Sequence, residues 1–289
     1  MEPSKRIENV LTNAVALADA PGCPPSLAAA VRYAVFPGGA RVRPRLCLAI
    51  AQACGDDQPE VSDAAAAAIE LLHCASLVHD DLPCFDDAAT RRGKPSVHKA
   101  YGERIAVLAG DALIVLAFHT LTQGAAAAPQ RLAPLLMTIG RSVGLPFGIV
   151  AGQAWECEAR VALEEYHRAK TGSLFVAAAV AGAVAAGQQP QAWRTLGESL
   201  GEAYQVADDI RDVADDPALL GKPVGQDEMH GRPSAVRELG MAGAVARFHE
   251  LMDGAIESIP VCPGQQQLAG LIRLEAKRLV PQGIVRAAA

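Results

Sequence analysis

Apolar positions recur at spacings of three and four residues along almost the whole chain, and the alternating pattern of a half-buried strand is nearly absent. This periodicity predicts an all-α fold. Proline and glycine mark most joints between the apolar runs, for example Pro21-Gly22 and Pro263-Gly264. The predicted helices span residues 4–20, 25–35, 42–54, 60–82, 99–124, 130–142, 145–160, 161–187, 190–215, 234–258 and 264–279.

The chain shows no internal repeat, no low-complexity linker and no break in composition. We therefore predict that residues 1–289 form a single domain. Alanine is abundant and aromatic residues make up only 4% of the chain, which favours helices that approach one another closely.

Composition excludes several classes of protein. A formal net charge of −6 lacks the basic footprint of a nucleic-acid binder. Seven cysteines without a CxxC pair indicate reduced thiols in the cytosol, and neither a disulfide framework nor a zinc site. The N-terminus is polar, and the most apolar run, 174–186, is shorter than the roughly 20 residues that cross a bilayer. We predict a cytoplasmic protein without an integral membrane segment.

The strongest chemical signal is an acidic cluster at the end of a long apolar run. Four aspartates fall within eight residues: Asp80, Asp81, Asp86 and Asp87. Mutual repulsion and burial make such a cluster costly unless a divalent cation is bound. Magnesium suits it, because this ion is usually held by one or two carboxylates plus substrate phosphates. Pro83 is expected to end the helix, and Arg91-Arg92 would face the remaining phosphate oxygens.

A second acidic cluster lies more than a hundred residues downstream, at Asp208, Asp209 and Asp212. In a helix, Asp208 and Asp212 share one face and lie about 6 Å apart along the axis. Two carboxylate sets, each ending an apolar helix, indicate opposite walls of one metal–phosphate site.

Further residues are candidates for anion binding. The loop at Gly38-Gly39 leads to Arg41 and Arg43, which suit bidentate phosphate contacts. The same residues are equally compatible with a tight turn whose arginines are solvated. His73 lies two helical turns before Asp80 on roughly the same face, which favours a phosphate contact over a purely structural core position. His79 lies on another side of the helix and receives no role.

Two lysines lie in weaker motifs. Lys170-Thr171 lacks the glycine frame of a nucleotide P-loop, so that motif is rejected. Gly221-Lys222 follows the second acidic cluster and could return a cation to the same site.

With these motifs in order, the chain resembles the trans-isoprenyl diphosphate synthases, and within them the bacterial geranylgeranyl diphosphate synthases. The first cluster is similar to that family's first aspartate-rich motif in its DDxxxxD form, and the second cluster, preceded by Gln205, to the second motif. Lys170-Thr171, Gly152-Gln153 and Gly221-Lys222 also match in order. The resemblance implies an isoprenoid synthase-type helical bundle around a deep central cavity, one polyprenyl synthetase domain and a homodimer.

The resemblance also implies roles for the matched residues. The aspartates would hold Mg²⁺ ions against an allylic diphosphate, with Asp80, Asp86 and Asp208 as main ligands and Asp81, Asp209 and Asp212 in support or bound through water. The allylic diphosphate would be held by Arg91, Lys170, Thr171, Gln205 and Lys222. Isopentenyl diphosphate would be held by Arg43, His73 and Arg92. The catalytic set would be Asp80, Asp86, Asp208, Lys170 and Arg91.

The implied reaction is ionisation of the allylic diphosphate, attack by the double bond of isopentenyl diphosphate, and loss of a proton. Cations at the leaving diphosphate stabilise its developing charge, and a dry apolar cavity protects the carbocation. Three positions depart from the family pattern. Ala40 and Arg232 stand where lysine is usual, and Glu156 stands where aspartate is usual. The first removes one cation for isopentenyl diphosphate, and Arg41 is the candidate replacement.

Product length can be argued from the helix that carries Asp80, along which the growing chain would extend. Short-chain family members carry an aromatic residue five positions earlier, where this chain has Ala75, followed by Ser76. Without a bulky floor, we predict geranylgeranyl diphosphate, a C20 product. Farnesyl diphosphate and a longer polyprenyl product are the alternatives, the latter if Phe118 and His119 do not close the tunnel.

Three other functions compete with this prediction. A class I terpene cyclase would carry an Asn-Ser/Thr-Glu triad in place of the second aspartate motif. A non-catalytic partner subunit of another synthase would tend to lose aspartates, although Ala40 keeps that alternative open. A helical scaffold with acidic patches would not explain why both clusters end apolar helices among phosphate-type cations.

Overall fold

A computed structural model of the chain describes residues 3–36, 38–158, 169, 172–214 and 234–280. These residues are almost entirely helical, which confirms the predicted all-α fold. The α-helices are α1 (Pro3–Val15), α2 (Pro25–Val35), α3 (Val42–Ala53), α4 (Pro59–Asp80), α5 (Val97–Tyr101), α6 (Glu103–Gly124), α7 (Pro129–Val143), α8 (Ile149–Trp155), α9 (Ser173–Ala185), α10 (Arg194–Ala214), α11 (Ala235–Glu257) and α12 (Gln265–Leu279). Short 3-10 turns follow α1 and α6 and precede α10.

Most predicted helices agree with these bounds to within a few residues, and three need correction. The predicted helix at 234–258 is broken at Gly240, whose φ of 69° and ψ of 167° are not helical. The predicted helix at 99–124 is two helices, α5 and α6, because Gly102 between them has a φ of 84°. The predicted helix at 145–160 is shorter, Ile149–Trp155, and Gly148 directly before it has an extended backbone with a ψ of −180°. Residues 161–168 lie outside the described part of the chain.

A two-stranded antiparallel hairpin interrupts the helices after the first acidic cluster, and its strands are too short for an alternating pattern to predict. The strands are β1 (Thr90–Arg91) and β2 (Lys94–Pro95). Arg92 and Gly93 form the turn with φ of 54° and 74°, the positive values that a tight two-residue hairpin requires. The hairpin therefore carries both members of the Arg91-Arg92 pair.

Helices α4 and α9 form the centre of the fold. All of α9 except Val176 is buried, and α9 contacts α3, α4, α7 and α10. Small residues allow this close approach: Gly182 of α9 lies against the backbone carbonyl of Cys47 in α3, where a Cβ would not fit. One contiguous cluster of buried side chains runs from Ile7 to Val280.

Two of the described helices are long and apolar enough to cross a bilayer, by length and composition alone. They are Pro59–Asp80, of which 78% of the apolar window is buried, and Glu103–Ala127, of which 39% is buried. A mostly buried apolar helix is also what the core of a water-soluble domain requires, so the first is weak evidence for a membrane span.

Candidate active site

The loop after α4 brings Asp86 back to Asp80, the last residue of that helix. Pro83 stops the helical hydrogen-bonding pattern, and the backbone N–H of Asp86 then donates to the carbonyl oxygen of Asp80 over 2.9 Å. Asp80 is half-buried and Asp86 is exposed. Two residues with carboxylate side chains thus lie at one end of α4, where hard oxygen ligands could hold a magnesium ion.

Asp81, the next residue, is oriented differently. It is only 2% exposed, and Arg91 Nε donates to its two carboxylate oxygens over 3.0 and 3.2 Å, with a further bond from Arg91 Nη2. Burial alone would lower the pKa of Arg91, but the hydrogen bond and the charge of Asp81 raise it. Asp81 therefore orients Arg91 at the end of α4, and any metal contact would have to be shared with that arginine.

Arg43 and His73 lie beside each other on α3 and α4. Arg43 Nη1 is 3.4 Å from His73 Nε2, and the Arg43 guanidinium lies 4.8 Å from the ring centre of Phe175. Burial, followed by the charges of nearby arginines, holds the pKa of His73 well below its usual value, so the ring is neutral at pH 7. The buried Nε of Arg43 has no hydrogen-bond partner among the described residues.

Arg92 completes this group from the hairpin. Its Nη1 donates to the carbonyl oxygen of Gly38, and its guanidinium covers Gly39, where a Cβ would lie 2.7 Å from Arg92 Cζ. Burial lowers the pKa of Arg43 and the charge of Arg92 lowers it further, so the two cations lie within electrostatic reach of each other. We call Arg43, His73 and Arg92 the cation shelf.

Arg41 does not join the cation shelf. It begins α3 with a φ of 48°, and its side chain is 7% exposed. The guanidinium donates to Glu8 Oε1 over 2.8 Å, to Glu70 Oε1 over 2.7 Å and to the Val35 carbonyl oxygen over 2.7 Å. Burial opposes the charge, but these two carboxylates raise the pKa of Arg41 above its usual value. Arg41 is thus a buried structural residue that connects helices. It does not replace the lysine that is usual in the family at the position of Ala40.

The second acidic cluster lies near the end of α10, and its members also differ in orientation. Asp209 is 3% exposed; it accepts a hydrogen bond from Gln205 Nε2 over 3.0 Å and another from the backbone N–H of Ala235 over 2.7 Å. Because Ala235 is the first residue of α11, Asp209 satisfies a free amide at that helix N-terminus. Asp208 is half-buried and pairs with Arg211 of the next helical turn.

The two clusters therefore share a pattern. The first aspartate of each pair, Asp80 or Asp208, is half-buried, whereas the second, Asp81 or Asp209, is buried and hydrogen-bonded within the protein. Asp212, the third member on α10, is 8% exposed. The structure does not change the predicted ligand set, but it distinguishes the solvent-accessible aspartates from those that support neighbouring groups.

Helix α9 connects the two clusters. It contacts α3 and α4 on one side and α10 on the other. Its Phe175 lies under Arg43 and also 4.8 Å from the ring of Tyr204 on α10. Burial lowers the pKa of Arg43, and the charge of Asp208 on α10 partly opposes this effect, so Asp208 of the second cluster lies within electrostatic reach of this arginine. The sequence analysis did not predict a role for Phe175 or Tyr204. The only indication in the sequence was that Phe175 follows Lys170-Thr171 by four residues.

The two chain-length candidates lie on different faces of α4. Ala75 is 2% exposed and lies one helical turn before His79, which faces Gly110 of α6. Ser76 is half-buried, one turn before Asp80, and its hydroxyl donates to the carbonyl oxygen of His73 over 2.9 Å. Of the two, Ser76 shares the face of the candidate site.

Several predicted site residues, Lys170, Thr171 and Lys222, lie outside the described residues, as does Arg232. Gln153 Nε2 donates to Glu156 Oε2 over 3.1 Å on and after α8. Within the described ranges, no three His, Cys, Asp or Glu side chains converge on one metal position.

The chain is similar to known proteins over nearly its whole length. A geranylgeranyl diphosphate synthase of Cereibacter sphaeroides is 55% identical over 277 residues, which cover 96% of each chain. One of Rhodobacter capsulatus is 50% identical over 280 residues, 97% of each chain. A crystal structure of a geranyltransferase from Helicobacter pylori, complexed with magnesium and isoprenyl diphosphate, superposes with a TM-score of 0.78 at 28% identity and covers 96% of this chain and 98% of its own.

The described residues form an all-α fold in which α4 and α10, the helices that carry Asp80 and Asp208, both contact α9. A family model described as Polyprenyl synthetase matches residues 24–259. The chain belongs to the polyprenyl synthetase family.

Proposed function

We propose that this chain is a trans-prenyltransferase that condenses isopentenyl diphosphate with allylic diphosphates to form geranylgeranyl diphosphate. The observation that carries the proposal is that α4 and α10, the helices that carry Asp80 and Asp208, both contact α9 in a chain 55% identical to a geranylgeranyl diphosphate synthase. With this identity over nearly the full length, we expect the two proteins to share the site that the motifs define.

Magnesium would supply the positive charge that stabilises the departing diphosphate. Asp80, Asp86 and Asp208 would hold it, since all three offer hard oxygen atoms and the first and third are half-buried and therefore reachable. Asp81 holds Arg91 in place, so the guanidinium is pre-organised for the allylic diphosphate before substrate arrives.

The cation shelf would bind isopentenyl diphosphate. Arg43 and Arg92 supply charge, and neutral His73 supplies a hydrogen-bonding ring nitrogen. The buried and unpartnered Nε of Arg43 gives an anion a donor that is not already engaged within the described residues. The proton lost in the last step would pass to the departing diphosphate, so the reaction needs no dedicated protein base.

The chain would act in the cytoplasm as a homodimer. The outer face of α6 carries Leu108, which is 51% exposed, and Val115, which is 69% exposed. An apolar helix face of this kind favours a partner, and a second copy of the chain is the partner we propose. Sedimentation of the purified chain tests this, with Val115→Glu expected to shift dimer to monomer; a monomeric wild type would overturn it.

The decisive assay is incubation of the purified chain alone with isopentenyl diphosphate and dimethylallyl, geranyl or farnesyl diphosphate, followed by chain-length analysis. We expect C20 product that requires Mg²⁺ and disappears with a chelator. A dominant C15 product, or one longer than C20, would support the alternative chain lengths. No condensation with any primer would point to the non-catalytic partner subunit, and cyclised products made without isopentenyl diphosphate would point to a cyclase.

A further inference from the structure

The C-terminal end of α3 and the loop before α12 run side by side. The backbone N–H of Gly264 donates to the carbonyl oxygen of Ala53 over 2.8 Å, and a Cβ at Gly264 would lie 2.6 Å from Ala53 Cα. Cys54 caps α3 directly after Ala53, and Cys262 lies two residues before Gly264. Backbone contacts thus hold two cysteines next to each other although they are more than two hundred residues apart in sequence.

The two thiols lie close enough to influence each other: after burial, the Cys262 thiol raises the pKa of Cys54, and the Cys54 thiol lowers that of Cys262. Both residues are half-buried, whereas Cys47 and Cys74 are enclosed in the core. A disulfide needs neighbouring backbones and side chains that point toward each other. The hydrogen bond between Gly264 and Ala53 meets the first condition, and the mutual influence of the two thiols supports the second.

We propose that Cys54 and Cys262 are a redox-modification site, at which a low-molecular-weight disulfide of the glutathione type converts the two thiols into one intramolecular disulfide. The thiolate of one cysteine attacks the reagent disulfide, which forms a mixed disulfide and releases one reagent thiolate. The thiolate of the other cysteine then attacks the mixed disulfide and releases the second. The two protons lost by the protein thiols are taken up by the two reagent thiolates, and two electrons pass to the reagent.

The bond would tether α12 to α3. These helices border a solvent-open groove of about 870 Å³, with Leu46 on the α3 side and Leu271 on the α12 side. Phe175 lines the same groove and carries Arg43 over its ring. Oxidation would therefore fix one wall of a groove that lies behind an arginine of the cation shelf, a consequence independent of the proposed reaction.

The thiols are poised for slow and not for rapid oxidation. Burial raises the pKa of Cys54 to about 12, and burial also raises the pKa of Cys262. Thiolate is therefore scarce at neutral pH, and the rate of bond formation is expected to rise by close to tenfold per pH unit between about 7 and 9. The oxidised fraction of the cysteine pair is therefore set by the steady ratio of low-molecular-weight disulfide to thiol. That is consistent with reduced cysteines in an unstressed cytoplasm.

The test equilibrates the full chain with reduced and oxidised glutathione at increasing ratios, quenches with acid, blocks free thiols and maps non-reduced peptides by mass spectrometry. We expect a peptide that joins Cys54 to Cys262, in amounts that follow the ratio, and a rise of roughly 5–10 °C in the unfolding temperature of the oxidised chain. Cys54→Ser and Cys262→Ser should remove both effects. Cys157→Ser, at an exposed cysteine, should retain them.

The proposal is overturned if Cys54 and Cys262 stay equally free at every ratio, or if each carries a separate glutathione without a cross-link. A cross-link between other cysteines, such as Cys84 with Cys157, would overturn it as well. None of these outcomes depends on prenyl transfer, so failure of this proposal is distinct from failure of the proposed function.

Discussion

Replacement of Arg41 by methionine separates a structural arginine from a substrate-binding one. The side chain of Arg41 is 7% exposed and that of Glu70 is 3% exposed, so their ion pair is shielded from water. Glu8, the other carboxylate partner, is 46% exposed and can regain water when Arg41 is lost. The cost of Arg41→Met therefore falls mainly on Glu70 and on the Val35 carbonyl.

The magnitude follows from the burial of those partners. Removing one member of a buried pair costs about 3–5 kcal/mol, because the remaining charge is left uncompensated. That is a large share of the roughly 5–15 kcal/mol by which a domain is stable. When both members are replaced by apolar residues, most of the loss should be recovered. Arg41→Met with Glu70→Leu is therefore expected to be less than half as destabilising as Arg41→Met alone.

The assay combines equilibrium unfolding in urea with the KM for isopentenyl diphosphate, measured under conditions where the variant remains folded. We expect a lower urea midpoint for Arg41→Met and a KM within about twofold of wild type. Arg45→Met, one turn further along α3 in a half-buried position, is the matched control and should change stability by less than about 1 kcal/mol. Unchanged stability together with a KM raised about tenfold would refute the structural assignment.

Three further predictions concern the candidate site. Asp80→Asn should lower kcat by roughly 10²–10³-fold without loss of stability, because Asp80 is half-buried and lies in an acidic cluster. Asp81→Asn should lower both kcat and stability, because it leaves Arg91 without its buried partner. Ser76→Phe should shorten the main product below C20, whereas Ala75→Phe should mainly lower stability by about 1–3 kcal/mol, since Ala75 is 2% exposed. Ala40→Lys, at an exposed position, should lower the KM for isopentenyl diphosphate about fivefold, which corresponds to roughly 1 kcal/mol of charge-assisted contact.

Steady-state kinetics at saturating Mg²⁺, urea midpoints and product chain length measure these effects. Equal kinetic and stability losses in Asp80→Asn and Asp81→Asn would contradict the different orientations assigned to the two aspartates. An unchanged product with Ser76→Phe would remove the floor argument. Ala40→Ser is the control for Ala40→Lys, and an equal change in both would show that charge is not the cause.

Helical periodicity was sufficient to predict most of the fold. The bounds of α2, α3 and α12 agree with prediction to within a residue or two, because buried positions of a helix recur every three to four residues. The end of α4 before Pro83 was also predictable, since proline cannot continue the helix. The break at Gly102 was not, because a glycine inside an apolar run is compatible with either one helix or two.

Within the candidate site, the sequence indicated which residue types come together but not where each side chain points. Arg41 and Arg43 are two positions apart, yet one is tied to Glu70 in the core and the other lies over Phe175. Asp208 and Asp209 are adjacent, yet only Asp209 accepts the backbone N–H of Ala235. Neighbouring positions on a helix differ by about 100° in direction, so partners distant in sequence decide their roles.

The sequence alone determined most of the helices and the position of the two acidic segments near helix ends. It also indicated the cation chemistry that four neighbouring aspartates require. These depend on local backbone preference and on the short-range repulsion of like charges, which can be read from residue order. Only the tertiary structure decided that Asp81 and Asp209 are buried supports, that Arg41 is structural, and that the chain at Cys54 lies beside the chain at Cys262. Those contacts depend on how helices far apart in sequence are placed against one another, and local residue order does not encode that placement.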